Sequence, residues 1–270
     1  MDILIRENYG EMSKTAATII ADQVKSDPKS ILGLATGSTP IGTYEELIKM
    51  HKDGELDFSE IISFNLDEYL GISIDLDKPY EEDQSYARFM WEELFKNINI
   101  KEENYHVPNG LTENPHQYCK SYEEQIKEAG GIDLQLLGIG GDGHIAFNEP
   151  GTSFSSRTHI TALTQQTLDD NYELFYKKSG IPRDEMPHFA ITMGVGTILD
   201  SQNLLLLASG ERKAEVIAKA IEGPMTSQVT STALQMHPNV TVILDEDAAS
   251  SLERVEHYKH VEKMKEKYSL

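Results

Sequence analysis

Apolar residues follow two rhythms along this chain. Short runs rich in leucine and β-branched residues fall at 3–6, 30–35, 61–65, 133–139, 188–192, 203–208 and 240–244. Several, such as LQLLGI, LLLLAS and VTVIL, are apolar at successive positions. A strand with one wet face alternates, whereas an unbroken apolar strand is covered on both faces, as in a parallel sheet between helices. Between these runs, helical patterns occupy 11–26, 40–52, 85–97, 115–129, 211–222 and 252–268. The last carries Leu252, Val255, Tyr258, Val261 and Met264, a stripe at i+3 spacing that suits packing on its own sheet better than an oligomer seam. Strands alternating with helices predict an α/β fold with right-handed crossovers. The expected form is an open, mostly parallel sheet with helices on both faces, a Rossmann-like three-layer sandwich. No repeat, low-complexity tract or linker interrupts the pattern, so residues 1–270 are expected to form a single domain, with the C-terminal helix at 252–268. The stretch ISIDLDKPYEEDQSY is acidic and unperiodic, and reads as a surface loop.

Composition narrows the function classes. A length of 270 residues, with 39% hydrophobic and 26% charged, is ample for a core. No stretch approaches the roughly 18 uninterrupted apolar residues of a membrane helix, and MDILIRENYGEMSK lacks the charged-then-apolar order of a secretory signal. The lone Cys119 lies in a helical pattern with Tyr118, Tyr122 and Ile126, which places it in the core and fits a reducing cytoplasm. A net charge of −21 argues against nucleic acid or an anionic membrane as partner. An anionic substrate would need a local pocket of amides and cations.

In open α/β sheets, ligands bind beyond the C-terminal ends of the strands. Four strand ends carry candidate chemistry. In ILGLATGSTPIGTYEEL, a strand runs into Gly37, Ser38 and Thr39 before a helix opens at Pro40, with Thr39 as the natural N-cap. Free amides at such a turn suit a phosphate, although an ordinary capped turn would look the same. In IISFNLDEYLGI, Asp67 and Glu68 lie just past a strand, and one of them can face the cleft. In LLGIGGDGHIAFNEPG, Asp142, His144 and Glu149 stand within eight positions of a glycine-rich loop. They are either a polar turn or an acid–base site. Gly138, Gly140 and Gly143 spell GxGxxG, but Pro150 and Gly151 interrupt the helix that a dinucleotide fingerprint needs. The spacing of Asp142, His144 and Glu149 matches no standard metal-ligand motif, so no metal is expected. In LLLLASGERKAEVIAKAI, Arg212 and Lys213 start a helix where cations are unfavourable unless they face an anion.

The stretches LGLATGSTPIGTY, FNLDEYLG, GGDGHIAFNEPGTSFSSRTH, ITMGVGTIL and MHPNVTVILD closely resemble the glucosamine-6-phosphate deaminase family, in family order from about residue 3 to 250. The resemblance implies conversion of glucosamine 6-phosphate and water to fructose 6-phosphate and ammonia, with no cofactor and no metal. It puts the carbon base on Asp67 and ring opening on His144, a histidine of near-neutral pKa supported by Asp142 and Glu149. It puts the phosphate on Gly37, Ser38, Thr39 and Lys213. The partner is a small-molecule amino sugar phosphate; galactosamine 6-phosphate is the near alternative, and a sugar-phosphate sensor or a lactonase the distant ones. Family members range from monomers to hexamers, so a homo-oligomer stays open. The arginine that clamps phosphate in the family is replaced: Leu168 and Glu173 occupy its expected positions, with Lys177, Lys178 or Arg183 as substitutes. His159 and Thr161 stand where allosteric members carry basic residues, so that regulation is not expected.

Overall fold

In the computed structural model, which describes residues 1–71, 85–173 and 182–268, the unbroken apolar runs pair side by side. The strands are β1 (Asp2–Arg6), β2 (Ile31–Leu34), β3 (Ile62–Asn65), β4 (Asp67–Tyr69), β5 (Tyr105–His106), β6 (Leu134–Leu137), β7 (His159–Ala162), β8 (Phe189–Thr192), β9 (Asn203–Ala208) and β10 (Val240–Asp245). Seven form one sheet in the order β1-β10-β9-β6-β2-β3-β5, and every neighbouring pair is parallel. All four residues of β2 and of β6 are buried, as are five of the six in β9, so both faces of the central strands are covered. This is the predicted α/β sheet.

The helices are α1 (Tyr9–Ser26), α2 (Ile41–Lys52), α3 (Tyr86–Glu93), α4 (Pro115–Ala129), α5 (Gln165–Asn171), α6 (Val195–Leu199), α7 (Ala214–Glu222) and α8 (Val255–Tyr268). The pattern over 85–97 resolves into α3 and a separate 3-10 turn at Phe95–Asn97. The pattern over 211–222 resolves into a 3-10 turn at Glu211–Lys213 followed by α7. α8 packs across the edge strand β1 as expected, tied by Arg6 to Glu262 at 2.7 Å and by Lys265 to Asp2 at 2.6 Å. Cys119 is buried.

Two expectations need correction. The run at 188–192 does not join the parallel sheet. It forms the middle strand β8 of a small antiparallel sheet, β4-β8-β7, whose outer members, DEY and HITA, carry no unbroken apolar run. The acidic stretch read as a surface loop falls mostly at 72–84, outside the described residues, but its last two residues are not loop: Ser85 is buried and caps α3, which Tyr86 begins.

Strand order determines where a ligand can sit. From β2 the chain steps to β3 and β5 on one side; from β6 it steps to β9 and β10 on the other. The reversal lies between β2 and β6, the adjacent strands joined at Leu32 and Leu134. Connections that leave in opposite directions open a crevice at the carboxyl ends of those strands.

Candidate active site

Four neighbouring strand ends line this crevice. In spatial order, β9 leads to Lys213, β6 to the loop at 138–151, β2 to the turn at 36–39, and β3 to Asp67. About 10 Å, two strand spacings, separate β9 from β2.

The loop after β6 is wound tightly. The Gly140 amide donates to the His144 carbonyl at 2.8 Å, and the Gly143 amide to the Gly140 carbonyl at 3.1 Å. Gly143 has φ +92°, the left-handed region that glycine adopts freely. Gly140 is needed for a different reason: the His144 ring lies against it. Ala146 also has a positive φ, 50°. Strain of that kind costs about 1–3 kcal/mol and persists where the surroundings fix it. Here they do. Phe147 N donates to Thr192 Oγ1 at 3.0 Å, Asn148 Nδ2 to the carbonyls of Ile145 and Met193 at 2.9 and 2.8 Å, and Thr230 Oγ1 to the Asn148 carbonyl at 2.8 Å.

His144 Nδ1 lies 2.7 Å from Asp142 Oδ1 and 3.6 Å from Glu149 Oε2, off the line of a straight N–H bond to either. Burial pushes the imidazole pKa down, but the two carboxylates outweigh it and raise it to about 9. The flanking acids thus favour the imidazole cation and lift its pKa above the near-neutral range. Burial pushes both acids up, yet the His144 cation holds Asp142 and Glu149 below the usual range. Glu149 is further held by Thr164 N at 3.0 Å and Thr167 Oγ1 at 2.7 Å, at the start of α5. Asp142 accepts from the His144 amide at 3.1 Å. Ligand atoms of the three residues lie within 4.8 Å of one another, close enough for a metal. A metal would have to displace a proton that the imidazole retains to about pH 9, so these residues fit a charged histidine better than a metal ligand.

Asp67 lies just past the end of β3, as expected, and is also the first residue of β4, opposite Thr192. It is 5% exposed. Burial first, then the neighbouring Glu68, pushes its pKa up to about 8, with the His144 cation pulling the other way. Glu68 does not face the crevice, because its oxygens are taken by residues at the start of α3.

The turn after β2 is held by two tyrosines. Tyr44 Oη donates to the Ala35 carbonyl at 2.5 Å; Tyr9 Oη donates to the Ser38 carbonyl at 3.2 Å and accepts from Gly42 N at 2.8 Å. Among the described residues, none of the amides of Gly37, Ser38 and Thr39 donates to a protein acceptor. Thr39 is not the N-cap. Pro40 already has helical torsions and takes that place, with no side-chain cap bond. Lys213 sits at the end of its 3-10 turn and donates from Nζ to the Ile139 carbonyl at 2.7 Å, which leaves two of its three protons for another acceptor. Burial pushes its pKa down, opposed by Asp170 and Asp142.

Leu168, at an expected clamp position, packs instead with Tyr69, Phe147, Leu163 and Ala190 in a second apolar cluster. Glu173 is exposed. Arg183 pairs with Asp169 at 2.8 Å and lies over the Tyr172 ring. Lys177 and Lys178 lie outside the described residues.

The sequence profile of the family described as glucosamine-6-phosphate isomerases/6-phosphogluconolactonase matches residues 7–243. This chain belongs to that family. It is 50% identical over 250 residues to a glucosamine-6-phosphate deaminase of Thermoanaerobacter pseudethanolicus, covering 93% of this chain and 94% of the relative. It is 48% identical over 262 residues to one from Shewanella woodyi, covering 97% and 95%. A solved structure described as a monomeric glucosamine-6-phosphate deaminase superposes with a TM-score of 0.87 at 42% identity, covering 93% of this chain and all of that one. A 6-phosphogluconolactonase from Trypanosoma cruzi, 20% identical with a TM-score of 0.72, shares the fold.

The motifs leave out three residues that support this candidate site. Thr164 and Thr167 hold Glu149 from fifteen and eighteen residues downstream. Asp245, at the end of β10, accepts from Ser209 Oγ and from Gly210 N at 3.0 Å, and so fixes the turn before Lys213. Its only sequence signal is an acid closing an apolar strand.

Proposed function

We propose that this protein converts glucosamine 6-phosphate and water to fructose 6-phosphate and ammonia in amino sugar catabolism. The shared name of relatives at about half identity over nearly the whole chain supports this reading. The observation that carries it is a buried carboxylate, Asp67, in the field of a charged His144 that two acids flank. The pyranose must first open. His144, protonated at neutral pH, donates its proton to the ring oxygen as the C1–O5 bond breaks, and the neutral imidazole takes up the C1 hydroxyl proton, giving the open aldehyde; Asp142 and Glu149 favour the charged, oriented imidazole. Asp67 then removes the C2 proton, forming an enolamine, and returns a proton to C1. The C2 amine is now an iminium. Water adds to C2, ammonia departs, and the ketone remains. The phosphate is held by the amides of Gly37, Ser38 and Thr39 and by Lys213, which supply positive charge locally in a chain of net charge −21. No step needs a redox cofactor.

A lactonase needs no base at carbon, and Asp67 has no role in that reading. Residues 1–270 are proposed to work as one domain in the cytoplasm. Ammonia release measured in parallel on glucosamine 6-phosphate and galactosamine 6-phosphate tests the function. The glucosamine sugar is expected to be the better substrate; ammonia from neither, with folded protein, overturns the proposal.

A further inference from the structure

Glu68 stands beside Asp67, and the proposed mechanism does not use it. It is 0% exposed. A buried carboxylate is costly unless its oxygens are hydrogen-bonded. Glu68 accepts from Tyr69 N at 2.9 Å, Ser85 Oγ at 2.7 Å, Tyr86 N at 3.1 Å and Ala87 N at 3.0 Å. Tyr86 and Ala87 open α3, and Ser85 is its N-cap, accepting in turn from Ala87 N at 3.1 Å and Arg88 N at 3.4 Å. Glu68 thus satisfies amides that a helix start leaves without partners, at the end where the dipole favours an anion. Its strand is also held through Tyr69, whose hydroxyl lies 3.0 Å from Tyr86 Oη and accepts from Asn171 Nδ2 at 2.9 Å, and whose ring packs in the second apolar cluster. β4 is three residues long and lies at the edge of its sheet, paired with β8 alone among the described strands. Successive residues of a strand point to opposite sides. With Glu68 turned to α3, Asp67 is turned the other way, where it feels the charge of His144.

We infer that Glu68 is a positioning residue, a clamp that ties β4 to the first turn of α3 and so holds the Asp67 carboxylate in register for proton transfer at carbon. The inference rests on the proposed role of Asp67. Among the described residues, the titratable groups that face Asp67 are Glu68 on its own strand, His144 from the loop after β6, and the Tyr122 hydroxyl of α4. The groups that face Glu68 are Asp67, the neutral Ser85 hydroxyl and backbone amides. Burial pushes the Glu68 pKa up to about 7, against the pull of the Ala87, Ser85, Tyr86 and Tyr69 donors, so Glu68→Gln removes a negative charge next to Asp67 above that pH and keeps an oxygen acceptor for the amides.

The test is the pH profile of kcat and kcat/KM on glucosamine 6-phosphate for full-length Glu68→Gln, Glu68→Ala, Asp67→Asn and the Asp67→Asn/Glu68→Gln pair. Glu68→Gln is expected to keep KM within about threefold, to lose about tenfold in kcat, and to move the acid limb to lower pH because Asp67 loses a like-charged neighbour. Glu68→Ala is expected to lose on the order of a hundredfold in kcat with KM little changed, as a displaced catalytic group does. Adding Glu68→Gln to Asp67→Asn should cause no further loss, since both act on one group. An unmoved acid limb in Glu68→Gln, or additive losses in the pair, overturns the clamp while leaving the role of Asp67 intact. Wild-type turnover in Asp67→Asn alone overturns that role instead. If Glu68→Ala does not fold, Ser85→Ala takes its place. It deletes one donor to the carboxylate and is expected to lower kcat severalfold at unchanged KM; an unchanged kcat there counts against the clamp.

Discussion

Gly140 and His144 occupy overlapping space: a Cβ on Gly140 would lie well inside 3.0 Å of the imidazole ring, nearer than Cβ atoms come to other groups. The ring is therefore held from below by bare backbone and from the side by Asp142 and Glu149. Gly140→Ala must push His144 out of its place. A misplacement of about 1 Å costs on the order of a hundredfold in rate, and kcat/KM for ammonia release is expected to fall by about that factor while far-UV circular dichroism stays native. Activity within threefold of wild type would mean that the ring position does not matter.

Asp67→Asn should abolish entry of solvent deuterium at C1 of fructose 6-phosphate in the reverse direction, with sugar binding retained, because the amide is nearly isosteric and has no basic oxygen. Wild-type exchange in the variant would exclude Asp67 as the base.

The same variant carries a stability signature. The folded pKa of Asp67, about 8, lies above its ordinary 3.8. Between those values the unfolded chain has lost the proton and the folded chain retains it, so this group's contribution to stability falls as pH rises from 3.8 to about 8. The amide that replaces it does not titrate. The Tm of Asp67→Asn relative to wild type should therefore climb across that window and level off above it. A gap that does not change with pH would show that Asp67 ionises as freely in the fold as outside it.

Two groups with opposite requirements bracket the activity. In the proposed mechanism Asp67 works ionised and His144 works protonated. kcat/KM is expected to rise with pH towards about 8 and to fall above about 9. Asp142→Asn removes one of the carboxylates that hold His144 charged, so its alkaline limb should move to lower pH while its acid limb changes little. An alkaline limb that stays in place would assign it to another group.

The centre of the parallel sheet was legible because β2, β6 and β9 are buried on both faces and carry unbroken apolar runs, 203–208 matching β9 residue for residue; the edge strand β5, two half-buried residues, carries no such run and went unread. The triad of Asp142, His144 and Glu149 was legible because one short loop holds all three. What escaped depends on contacts across long stretches of chain. β4 is Asp-Glu-Tyr, three residues with no periodicity, and becomes a strand only by pairing with β8, far downstream in the chain. In the sequence Asp67 and Glu68 are equivalent acids; a strand that points them to opposite sides, with the start of α3 waiting on one, makes one a candidate base and the other a clamp. Ala146 gave no signal, because its positive φ is imposed by Thr192, Met193 and Thr230 rather than by local preference.

In the proposed site, Lys213 and three amides take the phosphate in place of an arginine clamp. Lys213 has two donor protons beyond its bond to Ile139, and a charge-assisted hydrogen bond contributes about 1.5–3 kcal/mol. Lys213→Ala is therefore expected to raise KM for glucosamine 6-phosphate by about 10- to 150-fold, with much less effect on unphosphorylated glucosamine. Replacing the missing arginine should not repair this. Leu168 is packed in the apolar cluster with Tyr69 and Phe147, and Glu173 is an exposed residue just past α5, so neither position supplies a cation to the proposed phosphate site. Glu173→Arg in the Lys213→Ala background should leave KM within about threefold of the single variant, the small change typical of an exposed charge. The ratio of kcat/KM between the phosphorylated and unphosphorylated sugars decides both points. An unchanged ratio in Lys213→Ala would move the phosphate away from this lysine, and a tenfold recovery by Glu173→Arg would show that the segment after α5 closes over the phosphate after all.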